Sequence, residues 1–236
     1  MPQEQTRLAI ILKKQPYNEG DELITVFTRE AGKLRALAKS VKLQKAKLQS
    51  RLQQLFLVNL ELTSAKLPKI IGVESRATFL KMRDNLAAVK MAYYASELIL
   101  KFTPDEQKNE ALFDLLAEFL KFLDSESKQP VLDLALAKFK INILRTLGLD
   151  ISYPAGAKFF SNSHGGFVAG QSQDSRPVTL PTLDLFISLK DCRFDYLVSL
   201  NFGDQVLLEN LQNLLSQFVE YQLERPVKSE RYLKHG

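Results

Sequence analysis

Glu22-Leu23-Ile24-Thr25-Val26-Phe27-Thr28 and Lys33-Leu34-Arg35-Ala36-Leu37-Ala38 are two apolar, strand-forming runs separated by Arg29-Glu30-Ala31-Gly32. A four-residue connection ending in glycine, which takes the positive φ of a tight turn, predicts a β-hairpin. Three more runs flank it: Arg7 to Lys13, Leu55 to Thr63 and Lys69 to Ser75. The fourth in chain order alternates, with Phe56, Val58, Leu60 and Leu62 on one face and Leu57, Asn59, Glu61 and Thr63 on the other, as a strand with one buried side requires. Five antiparallel strands predict a small closed barrel of the OB type, a fold that tolerates an insertion between its third and fourth strands. Ser40 to Gln54 occupies that place; it is basic and Gln-rich, and reads as either a short helix or a loop.

Beyond Lys81 the period becomes helical. Leu86, Val89, Tyr93 and Leu100 mark a helix over Arg83 to Phe102, ended by Pro104. A second runs from an Asn109 N-cap to Asp124, with Leu112, Leu115, Leu116, Phe119 and Phe122 as its stripe. A third has Pro130 in its first turn and Gly148 just past its end, with Lys140 and Arg145 placed to suit its dipole. Residues 149–181 are rich in Ser, Gly, Asn and Pro and predict a two-strand ribbon, Lys158 to Phe160 and Gly166 to Val168. Helices resume over Thr182 to Leu189 and Asp204 to Leu223. The fold class is therefore α+β: a five-stranded OB-fold barrel over residues 1–80, then a helical domain over 81–236 interrupted by the ribbon, with the boundary near 76–84.

The 236 residues are 45% apolar and 25% charged, a globular composition. Net charge is +5, unevenly placed: residues 1–81 carry 15 basic and 7 acidic side chains, while the remainder is net −3. Cys192 is the only cysteine, and His164 and His235 the only histidines, too few for a disulfide framework or a closed zinc site. No cofactor or metal is expected. Neither a phosphate-cradling G-x-x-x-x-G-K-[ST] loop nor a G-x-S-x-G elbow is present, so the expectation is a non-enzyme, and catalysis at the ribbon by His164 or at Cys192 is the least supported reading. Met1 to Arg7 has no basic region leading into a signal-like apolar stretch, and no run approaches membrane-spanning length. A cytoplasmic, nucleoid-associated location with no membrane partner is expected.

Arg29 to Arg51 contains eight basic residues against the single acid Glu30. Lys33, Arg35 and Lys39 alternate with Leu34, Ala36 and Ala38, predicting a charged stripe on the outer barrel face that continues through Lys42, Lys45, Lys47 and Arg51. Such a stripe neutralises nucleic-acid phosphates without reading bases. The competing reading is an adaptor whose basic barrel binds an acidic polypeptide rather than DNA.

Glu19 to Lys39, with a strand ending in Val26-Phe27-Thr28, a turn, Gly32 and a basic strand ending in Ala38-Lys39, resembles the amino-terminal barrel of the RecO family of bacterial recombination mediators. Arg51-Leu52-Gln53 resembles that family's basic segment before its fourth strand, Lys158 to Gly170 its aromatic G-G-F ribbon, and Pro226 to Leu233 its terminal signature. Many members carry four zinc-binding cysteines at the ribbon; Asp150 to Gly170 contains none, so the resemblance here implies a ribbon held by packing of Phe159, Phe160 and Phe167. The resemblance implies a mediator of DNA repair and homologous recombination. Such a protein binds single- and double-stranded DNA, anneals complementary strands, engages the acidic tail of single-stranded DNA-binding protein and, with a RecR-like protein, loads the recombinase. Lys33, Arg35, Lys39, Lys42, Lys45, Lys47 and Arg51 are the expected DNA-binding set. Arg225, Lys228 and Arg231 are a second cluster suited to the partner tail or DNA. Tyr17 and Phe27 are the barrel aromatics that would offer a stacking surface; Phe27 reads more readily as core, while Tyr17 fits either role.

Overall fold

A computed structural model describes residues 4–18, 20–39, 50–200 and 202–233. Strands β1 (Glu4–Pro16), β2 (Glu22–Thr28), β3 (Gly32–Ala38), β4 (Leu57–Thr63) and β5 (Ile70–Ala77) form one antiparallel sheet in the order β3-β2-β1-β4-β5. Its outer strands meet through one parallel bridge between Leu37 and Lys69, where the Leu37 amide donates to the Pro68 carbonyl at 2.8 Å. This is the neighbour order of an OB-fold, which is itself partly open. Among the described residues closure rests on a single bridge, so the barrel is less completely closed than the strand count predicts.

The central strand explains why the sheet curls and also carries a second layer. Ala9 and Ile11 face inward with Ile24, Val26, Leu34, Ala36, Val58 and Leu60, whereas Ile10 and Leu12 face outward and join Phe27 in the core of the helices. β1 is thus apolar on both faces, as its unbroken Leu8 to Leu12 run requires. A bulge between Ile11 and Lys13 sharpens its bend.

The helices are α1 (Leu86–Phe102), α2 (Glu110–Ser125), α3 (Gln129–Thr146), α4 (Leu180–Asp191), α5 (Gln205–Leu223) and α6 (Glu230–Leu233). Asn109 caps α2 as expected, accepting from the Leu112 amide at 3.0 Å. Asn85, at the end of a 3₁₀ turn over Lys81–Asp84, caps α1. The buried face of α1 departs from expectation. Leu86 is 69% exposed and Tyr93 half exposed, while Ala88, Met91, Ala92, Ala95, Leu98 and Ile99 are buried. The core face is thus shared by Met91, Tyr94, Leu98 and Ile99 with the three alanines, and of the expected residues Val89 and Leu100 pack half-buried against it. Lys140 also departs: instead of serving the end of α3 it is buried, with its ammonium 2.6 Å from Ser216 Oγ, 3.6 Å from Glu230 Oε1 and over the Tyr94 ring. Burial, with the Glu230 carboxylate next in importance, pushes the Tyr94 hydroxyl well above its ordinary range.

The ribbon consists of β6 (Phe159–Ser161), β7 (Gly166–Val168) and a short third strand, β8 (Arg176–Pro177). Phe160 lies edge-on to Phe167 and Phe218, and Phe167 against Phe186, anchoring the ribbon on α4 and α5. Its turn is tied by Asp174, which accepts from Ser161 Oγ at 2.7 Å and from the Ser163 amide and hydroxyl at 2.9 Å each. These bonds, the Ser163 amide foremost, hold the Asp174 carboxyl far below the ordinary carboxylate range. Among the described residues no group of three or more His, Cys, Asp or Glu side chains is gathered as a metal site. The ribbon's side chains therefore do not fit the family's zinc ion.

Candidate nucleic-acid interface

The basic residues of the barrel divide into two groups with different work. Arg29 and Lys33 face the helices. Arg29 makes a two-pronged bond to Asp114, 3.0 Å at each contact, with Glu110 at 3.5 Å; the bonds and charge of Asp114 strengthen its hold on its proton. Lys33 donates to the carbonyls of Leu100 at 3.0 Å and Thr103 at 2.5 Å. Those carbonyls end α1, where the helix dipole is negative and the last acceptors lack partners within the helix. The Lys33 side chain is only 12% exposed. Lys33 is therefore a cap on α1, supplied by the barrel, and its ammonium is committed to that role.

The segment it holds then lies along β3. The Glu106 amide donates to the Lys33 carbonyl at 2.7 Å, and the Gln107 backbone passes Gly32 so closely that a Cβ there would sit 2.0 Å from the Gln107 carbonyl oxygen. Gly32, at φ +74°, is thus required twice: by the turn and by this approach.

The second group faces away from α1. Arg35 is 59% exposed and, among the described residues, has only a long contact, 3.7 Å, to Asp105. Lys39 is exposed at the end of β3. Opposite, across the Leu37–Lys69 bridge, stand Lys66 and Lys69, both exposed, in the β4–β5 connection. Arg51 lies on the same seam, its guanidinium 3.3 Å from the Val73 carbonyl of β5. Lys66 and Lys69 were missing from the predicted set because only the barrel topology brings the fifth strand beside the third. Lys42, Lys45 and Lys47 fall outside the described residues. The connections between strands 1 and 2 and strands 4 and 5, with the face of strands 2 and 3, are where OB-folds hold oligonucleotides. Arg35, Lys66 and Tyr17 occupy those positions. Phe27, by contrast, is fully buried against Phe113 and offers no stacking face.

The C-terminal cations are held along the backbone while their charges face out. Glu97 accepts from the Lys228 and Ser229 amides and the Ser229 hydroxyl. Burial pushes its carboxyl up, but the Ser229 and Lys228 bonds outweigh this and hold it below its ordinary value. Arg225 donates to the Lys101 carbonyl at 3.0 Å, so it and Lys33 meet the same end of α1. Arg231 lies on the Tyr232 ring. All three side chains belong to exposed residues.

A basic OB-type barrel joined through a shared core to a helical body defines the class of protein. Residues 1–79 match the family described as Recombination protein O N terminal, and residues 83–231 match Recombination protein O C terminal. The chain belongs to the RecO family. It is similar to the DNA repair protein RecO of Dehalococcoides mccartyi strain CBDB1, 28% identical over 239 residues covering 95% of this chain and 93% of that protein. The proteins of the same name from Pelotomaculum thermopropionicum (29% identical, 95% and 91% covered) and Anaeromyxobacter dehalogenans strain 2CP-C (27% identical, 95% and 93% covered) are also similar. Family membership supports a role in DNA repair and recombination. No helix among the described residues is long and apolar enough to cross a membrane.

Proposed function

We propose that this protein is a non-enzymatic recombination mediator. It binds single- and double-stranded DNA on the β3–β5 seam of a barrel domain spanning 1–80, and docks protein partners on a helical domain spanning 81–236. The observation that carries the reading is the group of outward cations, Arg35, Lys39, Arg51, Lys66 and Lys69, at the seam from which Lys42, Lys45 and Lys47 continue in sequence. Cations on a rigid barrel neutralise phosphates of two approaching strands while leaving base edges free, which is what annealing needs. Lys33 is not part of this set.

Its partners, by this reading, are a RecR-like protein and the acidic tail of single-stranded DNA-binding protein. The tail is met by Arg225, Lys228 and Arg231, and the protein works in the cytoplasm at the nucleoid. The test is annealing of complementary oligonucleotides followed by fluorescence quenching. Acceleration by the parent protein and its loss in Arg35→Glu/Lys66→Glu support the reading. Equal annealing by both, with unchanged folding, defeats the assignment of this face. Absence of DNA binding even at low salt favours the acidic-polypeptide adaptor.

A further inference from the structure

The segment that follows α5 has little regular structure of its own, yet it is fixed from outside. Glu224, at φ +52°, ends α5 in the left-handed conformation. Beyond it Val227 and Glu230 are buried, while Lys228 and Arg231, each one residue further on, are exposed. The Glu230 amide donates to the Val227 carbonyl at 3.1 Å, a turn that puts the buried pair on one face and the cations on the other. Three glutamates reach this basic segment, and none of them pairs with its cations. Glu220 accepts from the Val227 amide at 2.9 Å. Glu97 accepts from the Lys228 and Ser229 amides at 2.9 and 2.8 Å. Glu230 turns inward, 2.6 Å from Ser216 Oγ and 3.6 Å from the Lys140 ammonium. Lys101 closes the clasp, its ammonium 2.8 Å from the Pro226 carbonyl and 3.4 Å from Glu97. Among the described residues no carboxylate stands within ion-pair distance of Arg225, Lys228 or Arg231.

We propose that Glu97 and Glu220 are positioning residues for the acidic peptide that Arg225, Lys228 and Arg231 receive. The inference rests on the acidic-tail reading above and adds to it how the site is built. A carboxylate beside a lysine or arginine ordinarily pairs with it and cancels its charge. Here the carboxylate oxygens are taken up by backbone N–H groups, whose charge-assisted bonds order the chain. The cations are left uncompensated and aimed outward on a backbone that is already fixed, so the peptide does not have to order it on binding. This role has an unusual sign. Acids close to a site for an acidic ligand repel it, and simple charge counting makes their removal tighten binding. Positioning makes their removal weaken it.

The test is anisotropy of a fluorescein-labelled hexa-aspartate peptide with the full chain. Glu97→Gln keeps one acceptor but sets an amide NH₂ against the second backbone donor, and binding is expected to weaken at least about fivefold despite the lost negative charge. Glu97→Asp, which keeps the charge but falls one methylene short of bridging two amides, weakens it as well. Glu220→Gln acts in the same direction through Val227. Glu224→Gln, at an exposed acid beside Arg225 that holds none of these amides, binds as the parent does or tighter. Unchanged oligo(dT) affinity in every variant shows that the chain is folded. Peptide binding by Glu97→Gln and Glu220→Gln equal to or tighter than that of the parent overturns the positioning role while leaving the acidic-tail reading intact. Failure of the parent itself to bind the peptide overturns both.

Discussion

Replacing Lys33 by methionine separates a structural lysine from a DNA-binding one on the same strand. Met preserves most of the aliphatic stem but removes the ammonium that bonds the Leu100 and Thr103 carbonyls. Hydrogen bonds from a charged donor contribute about 1.5–3 kcal/mol each. The nearby Asp105 is half exposed and its pairing with Lys33 is largely screened. Because the two bonds share one ammonium and water reaches the freed carbonyls in part, a net loss of about 3 kcal/mol is expected. For a chain of this size that lowers Tm by about 6–12 °C, followed by circular dichroism at the helix band. DNA affinity should stay within about twofold, since no outward phosphate contact is lost. Arg35→Gln should do the reverse, leaving Tm nearly unchanged and weakening DNA binding. A Lys33→Met protein that melts like the parent yet loses DNA affinity as Arg35→Gln does would refute the capping argument.

Gly32→Ala should cost at least about 2 kcal/mol of stability, read as a lower urea midpoint, because the turn needs positive φ and the Gln107 carbonyl occupies the space of the new methyl group; an unchanged midpoint would show that the 105–107 segment does not press on β3. Lys140→Met and Glu230→Leu singly should each cost about 3–5 kcal/mol by breaking a buried ion pair, while Lys140→Met/Glu230→Leu recovers much of the loss in a double-mutant cycle; strict additivity would mean the pair does not interact in solution. Glu97 provides a pH test. Its folded carboxyl titrates below its ordinary value of 4.5, so its stabilising effect is complete above that value and is lost as pH falls through the lower folded value. Hydrogen exchange at residues 226–233 should stay slow at neutral pH and quicken in that acidic window, and Glu97→Gln should abolish the window; identical acid profiles for both proteins would contradict the clasp.

The parts of this fold that were legible in the sequence are those set by local chemistry. The 22–38 hairpin follows from its glycine turn, and β4 from its alternation, with Phe56, Val58, Leu60 and Leu62 all buried as expected. Asn109 caps its helix as expected, whereas Asp204, read as the first residue of the last long helix, proves to be its cap. What escaped depended on distant chain. Nothing near Lys33 indicates that its ammonium meets carbonyls some 67 and 70 residues away. Lys66 and Lys69 look unremarkable until the sheet order sets them against β3. On α1 the core face falls on Met91, Tyr94, Leu98 and Ile99 with the alanines, which leaves Leu86 and Tyr93 outside it and Val89 and Leu100 at its edge. The aromatic anchoring of the ribbon follows the expectation for Phe160 and Phe167 but not for Phe159, which is half-buried and outside both apolar cores, and the Asp174 knot joins residues 11 and 13 positions apart through a turn whose geometry the sequence does not specify.

The most direct test of the central claim is the salt dependence of oligonucleotide binding, measured by anisotropy for the parent and for Arg35→Gln/Lys39→Gln/Lys66→Gln/Lys69→Gln. The parent should bind with log affinity falling linearly in log salt, and the variant's slope on single strands should be shallower by about 2.8, from 0.7 for each of four lost phosphate contacts. Equal affinity and equal slope for the two proteins, both folded, would contradict the assignment of the β3–β5 seam as the DNA-binding face.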